Sequence, residues 1–224
     1  MEGKLYIVAT PIGNLEDITK RAEKTLKEVD IILAEDTRVT QKLLNHLNLK
    51  KTVWRCDDYV TKFQFEKILT ELKNGKTMAL VTDAGTPNIA DPGYKLISFI
   101  RKGNPNIKII PIPGPSALTT AISFSGINAN QFTFVGYPPH KKGRGQFFKL
   151  IKNIQFHPII IFESPHRLLK TLNDLEKYYQ ENFHLIIVKE LTKIYEEFWE
   201  GDLKSAQNYF TGKKRKGEFI IIIP

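Results

Sequence analysis

Six short apolar runs of this chain are each followed directly by a loop of polar, charged, proline and glycine residues. Glycine-containing turns let a ligand approach the backbone, and a helix that starts in such a loop offers free N–H groups to polar ligand atoms. Carboxylates in these loops can also accept a substrate proton. One such turn is common in any protein, but six together predict a ligand site. The loops span residues 10–14, 35–38, 82–87, 113–117, 163–167 and 189–190.

The apolar runs themselves are short and continuous, which is typical of strands buried on both faces of a sheet. Between some of them apolar residues recur at helical spacing, and Asp17 is placed to cap the first predicted helix, which contains Ala22 and Leu26. Two further helices are predicted to end at Gly75 and Gly103. Strands separated by helices predict right-handed βαβ crossovers in an α/β fold, with the loops at one crevice. The predicted strands are residues 5–9, 31–34, 77–81, 107–112, 132–135, 159–162, 185–188 and 219–223.

A proline- and glycine-rich segment at residues 111–131 separates two series of strands and helices. The length of 224 residues suits one large domain or two small ones. We therefore predict two α/β lobes, residues 1–112 and 113–224, with a cleft between them.

The charge of the chain favours an anionic partner. It has 33 Lys+Arg against 24 Asp+Glu, a net charge of +9, and two compact basic clusters lie at residues 141–144 and 213–216. Such clusters are typical of nucleic-acid binders, and a merely solvated lysine-rich surface is the alternative of about equal weight.

Several other functions are excluded by missing patterns. The single cysteine, Cys56, excludes disulfides and thiolate metal clusters, and it is interpreted as a buried apolar residue. The five histidines lack metal-ligand spacing, so no metal is expected. Ser116 is not in a hydrolase elbow, and neither a P-loop nor a dinucleotide-binding fingerprint occurs. No apolar run is long enough to span a membrane and no signal peptide is visible, so we predict a cytoplasmic protein without membrane contact.

A set of motifs, in order, resembles the tetrapyrrole-methylase superfamily over residues 4–223. They are LYIVATPIGNLEDIT, AEDTR, VTDAGTPNIADPG, PIPGPSAL, FVGYPP, FESPHR and KELTKIYEEFWEG. AEDTR, DAGTP, ESPHR and KELTK resemble most specifically the bacterial subgroup that methylates the ribose 2′-hydroxyl of a 16S rRNA cytidine. The resemblance implies the two-lobed class III methyltransferase fold, a homodimer, S-adenosylmethionine in the cleft, and a decoding-site cytidine of the 30S subunit as target. The resemblance implies a helical C-terminal extension in most members, and because the last predicted strand ends at residue 223 we expect that extension to be absent here.

The resemblance also implies the cofactor contacts. Apolar Ile12 and Ile89 are suited to pack on adenine, while backbone groups and Ser116 are suited to bind polar atoms. The full set is Pro11, Ile12, Asp83, Ala84, Gly85, Thr86, Ile89, Ser116, Ala117 and Phe162.

Methyl transfer to a ribose hydroxyl benefits from a general base. Among the strand-end carboxylates we favour Glu190, with Glu163 second, and Lys189 beside Glu190 completes the predicted catalytic set. The alternative for Glu190 is a structural ion pair with Lys189 or Arg167. Asp83 is expected to accept N–H groups of its own turn, and Asp36 to hold loop geometry.

The predicted RNA contacts lie in two groups. In the strand-end loops they are Asp36, Arg38, His166 and Arg167; further out they are Lys141, Lys142, Arg144, Lys213, Lys214, Arg215 and Lys216. Phosphate contacts of this kind give salt-sensitive affinity.

Two alternative functions stay open. A methylase of corrinoid precursors would not need the basic clusters. A non-catalytic RNA-binding module would be free to lose Gly85, Thr86, Gly114 and Ser116, which are all present.

Overall fold

The computed structural model of the protein describes residues 2–180, 182–212 and 216–224. The chain divides into two compact units, Met1–Ser116 and Ala117–Pro224. The predicted division fell between residues 112 and 113, at the end of a strand, whereas the following loop stays with the first unit. Both units combine helices with a sheet of five strands, which confirms the α/β fold class.

The first unit is a doubly covered parallel sheet with the strand order β3-β2-β4-β1-β5. Its strands are β1 (Lys4–Val8), β2 (Ile31–Ala34), β3 (Thr52–Arg55), β4 (Met78–Val81) and β5 (Lys108–Ile112). Its helices are α1 (Lys20–Glu28), α2 (Thr37–His46), α3 (Lys62–Lys73) and α4 (Tyr94–Gly103), and a short 3-10 turn spans Leu15–Asp17.

Side chains alternate between the two faces of this sheet. Along β2, Ile31 and Leu33 pack with α3 and α4, whereas Ile32 and Ala34 pack with α1 and α2. The helix after β1 therefore covers one face and the helix after β4 covers the other. Because β1 and β4 are neighbours, their loops leave the sheet in opposite directions, and such a switch point is where open α/β sheets bind ligands.

Two local predictions for this unit have clear outcomes. Asp17 does not cap α1: it ends the 3-10 turn, and the hydroxyl of Thr19 accepts the hydrogen bond from the N–H of Ala22 at 3.1 Å. Cys56 is buried in the core, and burial, with the charge of Asp57 second, raises the pKa of its thiol to about 12. The interpretation of Cys56 as a buried small residue is confirmed.

The second unit has the strand order β6-β7-β10-β8-β9. Its strands are β6 (Thr133–Phe134), β7 (Ile159–Glu163), β8 (His184–Lys189), β9 (Glu197–Asp202) and β10 (Phe219–Ile223). Its helices are α5 (Ala117–Ser123), α6 (Arg144–Ile151), α7 (Leu168–Glu176) and α8 (Leu203–Tyr209).

The βαβ crossovers predicted between strands that are separated by helices do not describe most of the second unit. Only β6 and β7 are parallel among its pairs; β10 runs antiparallel to both β7 and β8, and β8 is antiparallel to β9. β8 and β9 are joined by a short loop without a helix, so no crossover is needed. The core of this unit lies between the sheet and α6, α7 and α8.

Among the residues that the structure describes, no helix combines the length and the apolar character needed to cross a membrane.

Candidate functional site

The loops after β1 and β4 are joined by backbone hydrogen bonds at the switch point of the first unit. The N–H of Thr10 donates to the carbonyl of Gly85 at 2.9 Å, and the N–H of Gly85 donates back at 3.0 Å. The hydroxyl of Thr10 donates to the carbonyl of Thr82 at 3.2 Å. Since Thr10 directly precedes Pro11 and Ile12, these bonds bring predicted cofactor residues of both loops together.

Two glycines allow a third loop to approach. Gly85 has a φ of +80°, and a Cβ there would lie 3.2 Å from Cγ2 of Ile12. A Cβ on Gly114 would lie 3.1 Å from the Cβ of Ala9. The hydroxyl of Thr86 donates to the carbonyl of Pro115 at 3.1 Å. The loop after β5, which leads to Ser116, is therefore fixed beside the loops after β1 and β4.

The predicted cofactor residues of this unit range from buried to exposed. Pro11, Ile12 and Gly85 are buried, while Thr86 and Ser116 are half-buried. The exposed members are Asp83, Ala84 and Ile89. These loops thus combine a buried apolar wall with accessible groups along its rim.

The loop after β2 is attached to the loop after β4 by a carboxylate. Oδ1 of Asp83 accepts from the N–H of Asp36 at 3.0 Å. Asp83 was expected to bind N–H groups of its own turn; instead it binds the neighbouring loop, because parallel strands bring these loops to the same edge of the sheet.

Asp36 caps α2, as its predicted role in loop geometry requires. Its carboxylate accepts from the backbone N–H of Arg38 at 2.8 Å and from Nε of the same residue at 3.0 Å. The hydrogen bonds from the Arg38 side chain and backbone lower the pKa of Asp36 to about 2. The guanidinium of Arg38 stays largely exposed, so it is accessible to an anionic ligand.

Glu35 is a neighbour that the sequence analysis did not single out. Burial, followed by the negative charge of Asp83, raises the pKa of Glu35. Burial also raises the pKa of Asp83. Both carboxylates line a cavity of about 520 Å³ with Asp36, Arg38, Arg55, Asp57 and Tyr59. The signal for Glu35 was its position directly after the apolar run of β2.

In the second unit, the carboxylate of Glu163 is fully buried and bound on both oxygens. Oε1 pairs with Nε of Arg167 at 2.9 Å and accepts from the N–H of Ser164 at 2.7 Å. Oε2 accepts a short hydrogen bond from the hydroxyl of Thr171. A side chain without accessible surface does not touch a substrate, so the prediction of Glu163 as a second candidate base is corrected: it is a structural carboxylate.

Arg144 was expected on an exposed basic cluster, and this is also wrong. Only 6% of Arg144 is exposed. Its guanidinium pairs with Asp174 at 2.7 Å and donates to the hydroxyl of Thr171 at 2.7 Å and to the carbonyl of Pro139 at 3.0 Å. A short run of basic residues does not reveal which member turns inward; here the Asp174 carboxylate on α7 draws Arg144 into the interior.

Glu190 lies in a conformation that non-glycine residues rarely adopt, with a φ of +51°. Its Oε1 accepts from Nζ of Lys193 at 2.9 Å and from the N–H of Glu218 at 2.9 Å. Burial acts to raise the pKa of Glu190, but the hydrogen bonds from Glu218 and Lys193 outweigh it, so the pKa is lowered. The ion-pair partner is thus Lys193, and neither Lys189 nor Arg167 takes that place.

Lys189 instead pairs with Glu197 on β9, with 3.0 Å between Nζ and Oε2. Glu197 also accepts a short hydrogen bond from the hydroxyl of Tyr209. These two contacts connect β8 to β9 and α8. Lys189 therefore has Glu197 as its ion-pair partner and not Glu190.

The remaining predicted residues of the second unit occupy different surroundings. Ala117 begins α5, and the half-buried ring of Phe162 packs against Phe134 with 4.8 Å between the ring centres. Lys141, Lys142, His166 and Lys216 are exposed. Lys213, Lys214 and Arg215 lie outside the described residues.

Comparison with known proteins places this geometry in a family. A protein of Thermotoga maritima named ribosomal RNA small subunit methyltransferase I is 45% identical over 222 residues, which cover 99% of this chain and 98% of that protein. The family model for tetrapyrrole (corrin/porphyrin) methylases matches residues 4–207. The chain belongs to the tetrapyrrole methylase family. The resemblance inferred from its motifs is confirmed.

Relatives of this tetrapyrrole methylase differ in length. Proteins of the same name from Synechocystis and Escherichia coli O157:H7 are 44% and 40% identical over 99% of this chain, which covers 78% of each. Some relatives therefore have additional length, whereas the Thermotoga maritima protein has almost none.

Solved structures support the fold of the family. A cobalt-precorrin-4 methyltransferase of cobalamin biosynthesis matches 98% of this chain, and 94% of its own, with a TM-score of 0.72 at 20% identity. A uroporphyrin III C-methyltransferase from Thermus thermophilus matches 98% of this chain, and 97% of its own, with a TM-score of 0.69 at 15% identity.

The loops of the first unit fit the S-adenosylmethionine that a tetrapyrrole methylase uses. Gly85 and Gly114 stand where a side chain would crowd the neighbouring loops. Ile12 is part of the buried apolar wall of these loops, and the hydroxyl of Thr82 is buried without a hydrogen-bond partner in the part of the chain that the structure describes. Within those same residues, no group of three or more His, Cys, Asp or Glu side chains is arranged to hold a metal ion.

Proposed function

We propose that the protein transfers a methyl group from S-adenosylmethionine to the ribose 2′-hydroxyl of a cytidine in the decoding site of 16S rRNA. The observation that carries this proposal is the 45% identity, over almost the full length of both chains, to a protein named ribosomal RNA small subunit methyltransferase I. The joined loops of the first unit support it, because they offer the backbone-lined, partly apolar surface that an adenosyl cofactor needs.

The cofactor, when bound, supplies an electrophilic methyl group. We assign its binding in the first unit to Pro11, Ile12, Ile89, Ser116 and the backbone of residues 83–86. Ile12 and Ile89 would exclude water from its apolar part. In the second unit, Ala117 and Phe162 stay predictions as further contacts.

Glu190 is our candidate to hold the proton that the ribose hydroxyl releases. Within the described residues, both hydrogen bonds to its carboxylate fall on Oε1, which leaves Oε2 for a substrate. The left-handed backbone of Glu190 supports this role, because strain of about 1–3 kcal/mol is often retained at functional sites. The carboxylate is ionised at neutral pH, but its lowered pKa makes it a weaker base, so the case for Glu190 rests on Oε2 and on the backbone conformation.

The test is transfer of labelled methyl from S-adenosylmethionine to 30S subunits that lack the modification, followed by identification of the labelled nucleoside. We expect 2′-O-methylcytidine. Label on a base, or label on a corrinoid precursor and not on RNA, would contradict the proposal. For Glu190→Gln we expect turnover to fall by about 10²–10⁴-fold with RNA and cofactor still bound; unchanged turnover would reject Glu190 as the base.

Cofactor binding has a matched pair of variants. Gly85→Ala places a methyl group 3.2 Å from Ile12, whereas Gly126→Ala meets nothing within 4 Å, and both glycines have similar positive φ angles of +80° and +73°. Both changes should cost a similar stability of about 1 kcal/mol. Only Gly85→Ala should weaken S-adenosylmethionine binding in calorimetry, by about tenfold or more; equal affinities would reject the assigned loops.

The 30S subunit as the substrate particle, the homodimer and the cytoplasmic location stay predictions. The corrinoid-precursor methylase is supported only by folds at 20% identity or less, so it is not favoured.

A further inference from the structure

Two arginines of the second unit each donate a hydrogen bond to one carbonyl of the Pro138-Pro139 dipeptide. Nη1 of Arg167 donates to the carbonyl of Pro138 at 2.8 Å, and Nη1 of Arg144 donates to the carbonyl of Pro139 at 3.0 Å. Prolines lack an N–H group, so the backbone there cannot be anchored by donation of its own. The guanidinium groups supply the donors instead.

The two arginines are connected through buried groups. Thr171, which has no exposed surface, accepts from Arg144 at 2.7 Å and donates to Glu163, and Glu163 pairs with Arg167 at 2.9 Å. Asp174 completes the set by pairing with Arg144 at 2.7 Å. Buried charges need such full pairing, since an unpaired one is very costly. The arginine donors are thus engaged within the protein.

The segment that the arginines hold is residues 137–143, which we call the proline loop. It follows β6 and Gly136, whose carbonyl accepts a hydrogen bond from the N–H of Phe162 on the neighbouring strand β7 at 3.0 Å. It ends at Gly143, whose φ of +79° starts α6. Pro138 is buried, so packing as well as the arginine hydrogen bonds holds the proline loop at residues 138–139.

The side chains that point away from this base are basic or aromatic. His140, Lys141 and Lys142 are exposed, and Tyr137 is 48% exposed. The Tyr137 ring lies edge-on to Phe162 with 5.7 Å between ring centres, and the guanidinium of Arg167 lies 5.8 Å from the centre of the Tyr137 ring. Nζ of Lys170 on α7 lies 3.4 Å from the carbonyl of His140, which adds a further ammonium to the same surface.

The surrounding sequence supports an anionic ligand. Residues 92–162 contain nine Lys and Arg residues and no Asp or Glu. The proline loop lies in this stretch, so no carboxylate of its own segment neutralises its lysines. Exposed lysines beside an aromatic ring are the surface that binds RNA phosphates and unpaired bases.

We propose that the proline loop is a prefolded RNA-contact surface, in which Lys141, Lys142 and Lys170 bind phosphates and Tyr137 packs on a base, while Arg144 and Arg167 act as positioning residues. This inference rests on the proposed function, because it takes rRNA as the ligand. It also separates the basic residues into two roles that their sequence does not distinguish.

A double-mutant cycle tests the proposal, with the affinity of the full chain for unmodified 30S subunits as the readout. Lys141→Ala with Lys142→Ala should weaken binding and reduce the slope of log affinity against log salt by roughly one per lysine. Arg144→Gln should weaken binding to a similar extent. In the background that lacks both lysines, Arg144→Gln should cost clearly less affinity than in the wild type, since part of its effect acts through them; fully additive losses would overturn the proposal.

Arg144→Lys separates positioning from contact. Lysine keeps the charge but cannot hold three partners in the fixed geometry of a guanidinium. We therefore expect Arg144→Lys to lose as much affinity as Arg144→Gln. Recovery of wild-type affinity would indicate a phosphate contact and overturn the positioning role. Changes at Arg144 also destabilise the unit, because they deprive the largely buried Asp174 carboxylate of its arginine partner. Replacing both Pro138 and Pro139 by glycine loosens the loop without changing the arginines. That variant should weaken 30S binding at unchanged cofactor affinity, and unchanged 30S binding would contradict the proposal.

Lys149→Ala with Lys152→Ala is the matched control. Both lysines are exposed and lie in the same stretch without carboxylates, but outside the proline loop. Their removal subtracts the same charge and should cost clearly less affinity than removal of Lys141 and Lys142; an equal loss would mean that charge alone matters and would overturn the proposal. If the wild type binds no 30S subunits, both proposals fail, whereas wild-type binding with additive losses overturns only this one.

Discussion

Glu190 combines an unusual backbone conformation with a strong charge partner. The ion pair with Lys193 and the hydrogen bond from Glu218 outweigh burial and lower its pKa. Lys193 responds in the opposite sense: burial would lower its pKa, but the bonds to Glu218 and Glu190 raise it. The pair is therefore charged across the neutral range, and it holds the loop after β8 against the start of β10.

Removing the ammonium should be visible in the pH dependence of methyl transfer. In Lys193→Met the pKa of Glu190 should rise, because the hydrogen bond and the charge of Lys193 are lost while the hydrogen bond from Glu218 remains, and the acid limb of the rate profile should move to higher pH. Lys24→Met, which removes an exposed lysine paired with Glu28 at 3.9 Å, is the control. An acid limb that is the same in both variants would show that Glu190 does not limit the rate.

The same pair has a predictable effect on stability. A carboxylate whose pKa is lowered in the folded state stabilises it above the unfolded pKa of about 4.3, and this contribution is lost as pH falls through the folded pKa. Lys193→Met should therefore lose stability at neutral pH and less at low pH, as measured by thermal unfolding at both values.

At the scale of single residues, the sequence predicted where the important loops lie more accurately than it predicted what their residues do. Glu190, Asp83 and Asp36 all lie at strand ends as predicted, since strand boundaries follow from hydrophobicity. Arg144 and Glu163 were misjudged because their partners, Asp174 and Thr171, come from another element. Such tertiary pairing leaves no local pattern in the sequence.

At the scale of the elements, β10 is the central strand of the sheet in the second unit. It lies between β7 and β8, and all five of its residues are buried. Ile221 at its centre is fully buried and pairs in register with Ile161 and Ile187.

Ile221→Ala should therefore cost about 2–5 kcal/mol in the free energy of unfolding, because it removes buried methyl groups and leaves a cavity. Ile194→Ala is the same substitution at a residue that is 94% exposed, and it should change stability by less than about 0.5 kcal/mol. Urea unfolding of both variants makes the comparison. Equal midpoints would mean that the packing around β10 is not what stabilises this unit.

The two strands missed by the sequence analysis, β3 and β9, lie at sheet edges, although the other two edge strands, β5 and β6, were predicted. β3 and β9 are each the outermost strand of their sheet, and their residues are only partly buried. Both keep polar residues and lack a continuous apolar run, so their pattern is not distinct from that of a loop. The central strands, in contrast, were predicted to within one or two residues.

On the scale of the whole molecule, the charge is unevenly distributed along the chain. Residues 92–162 carry nine basic and no acidic residues, so the rest of the chain holds 24 of each sign. The net charge of +9 thus has its source in one continuous stretch, which includes the proline loop.

The affinity for 30S subunits should consequently depend steeply on salt. With three or four phosphate contacts, raising salt from 50 to 200 mM should weaken binding by roughly 30- to 150-fold. Binding of S-adenosylmethionine, which we assign to backbone and apolar groups, should change little in the same buffers. Filter binding and calorimetry measure the two affinities, and a flat salt response of 30S binding would reject phosphate contact by the basic stretch.

Because β10 is the last strand in the chain and the central strand of its sheet, it determines when the second sheet can be completed during synthesis. The five strands of the first unit are all present once residue 112 has left the ribosome, so that sheet can form while translation continues. β7 and β8 have no shared partner until residues 219–223 emerge, and both keep an unpaired, isoleucine-rich edge until then. Exposed edges of this kind are sites of aggregation. The newly made chain should therefore depend on chaperones in its second half and not in its first.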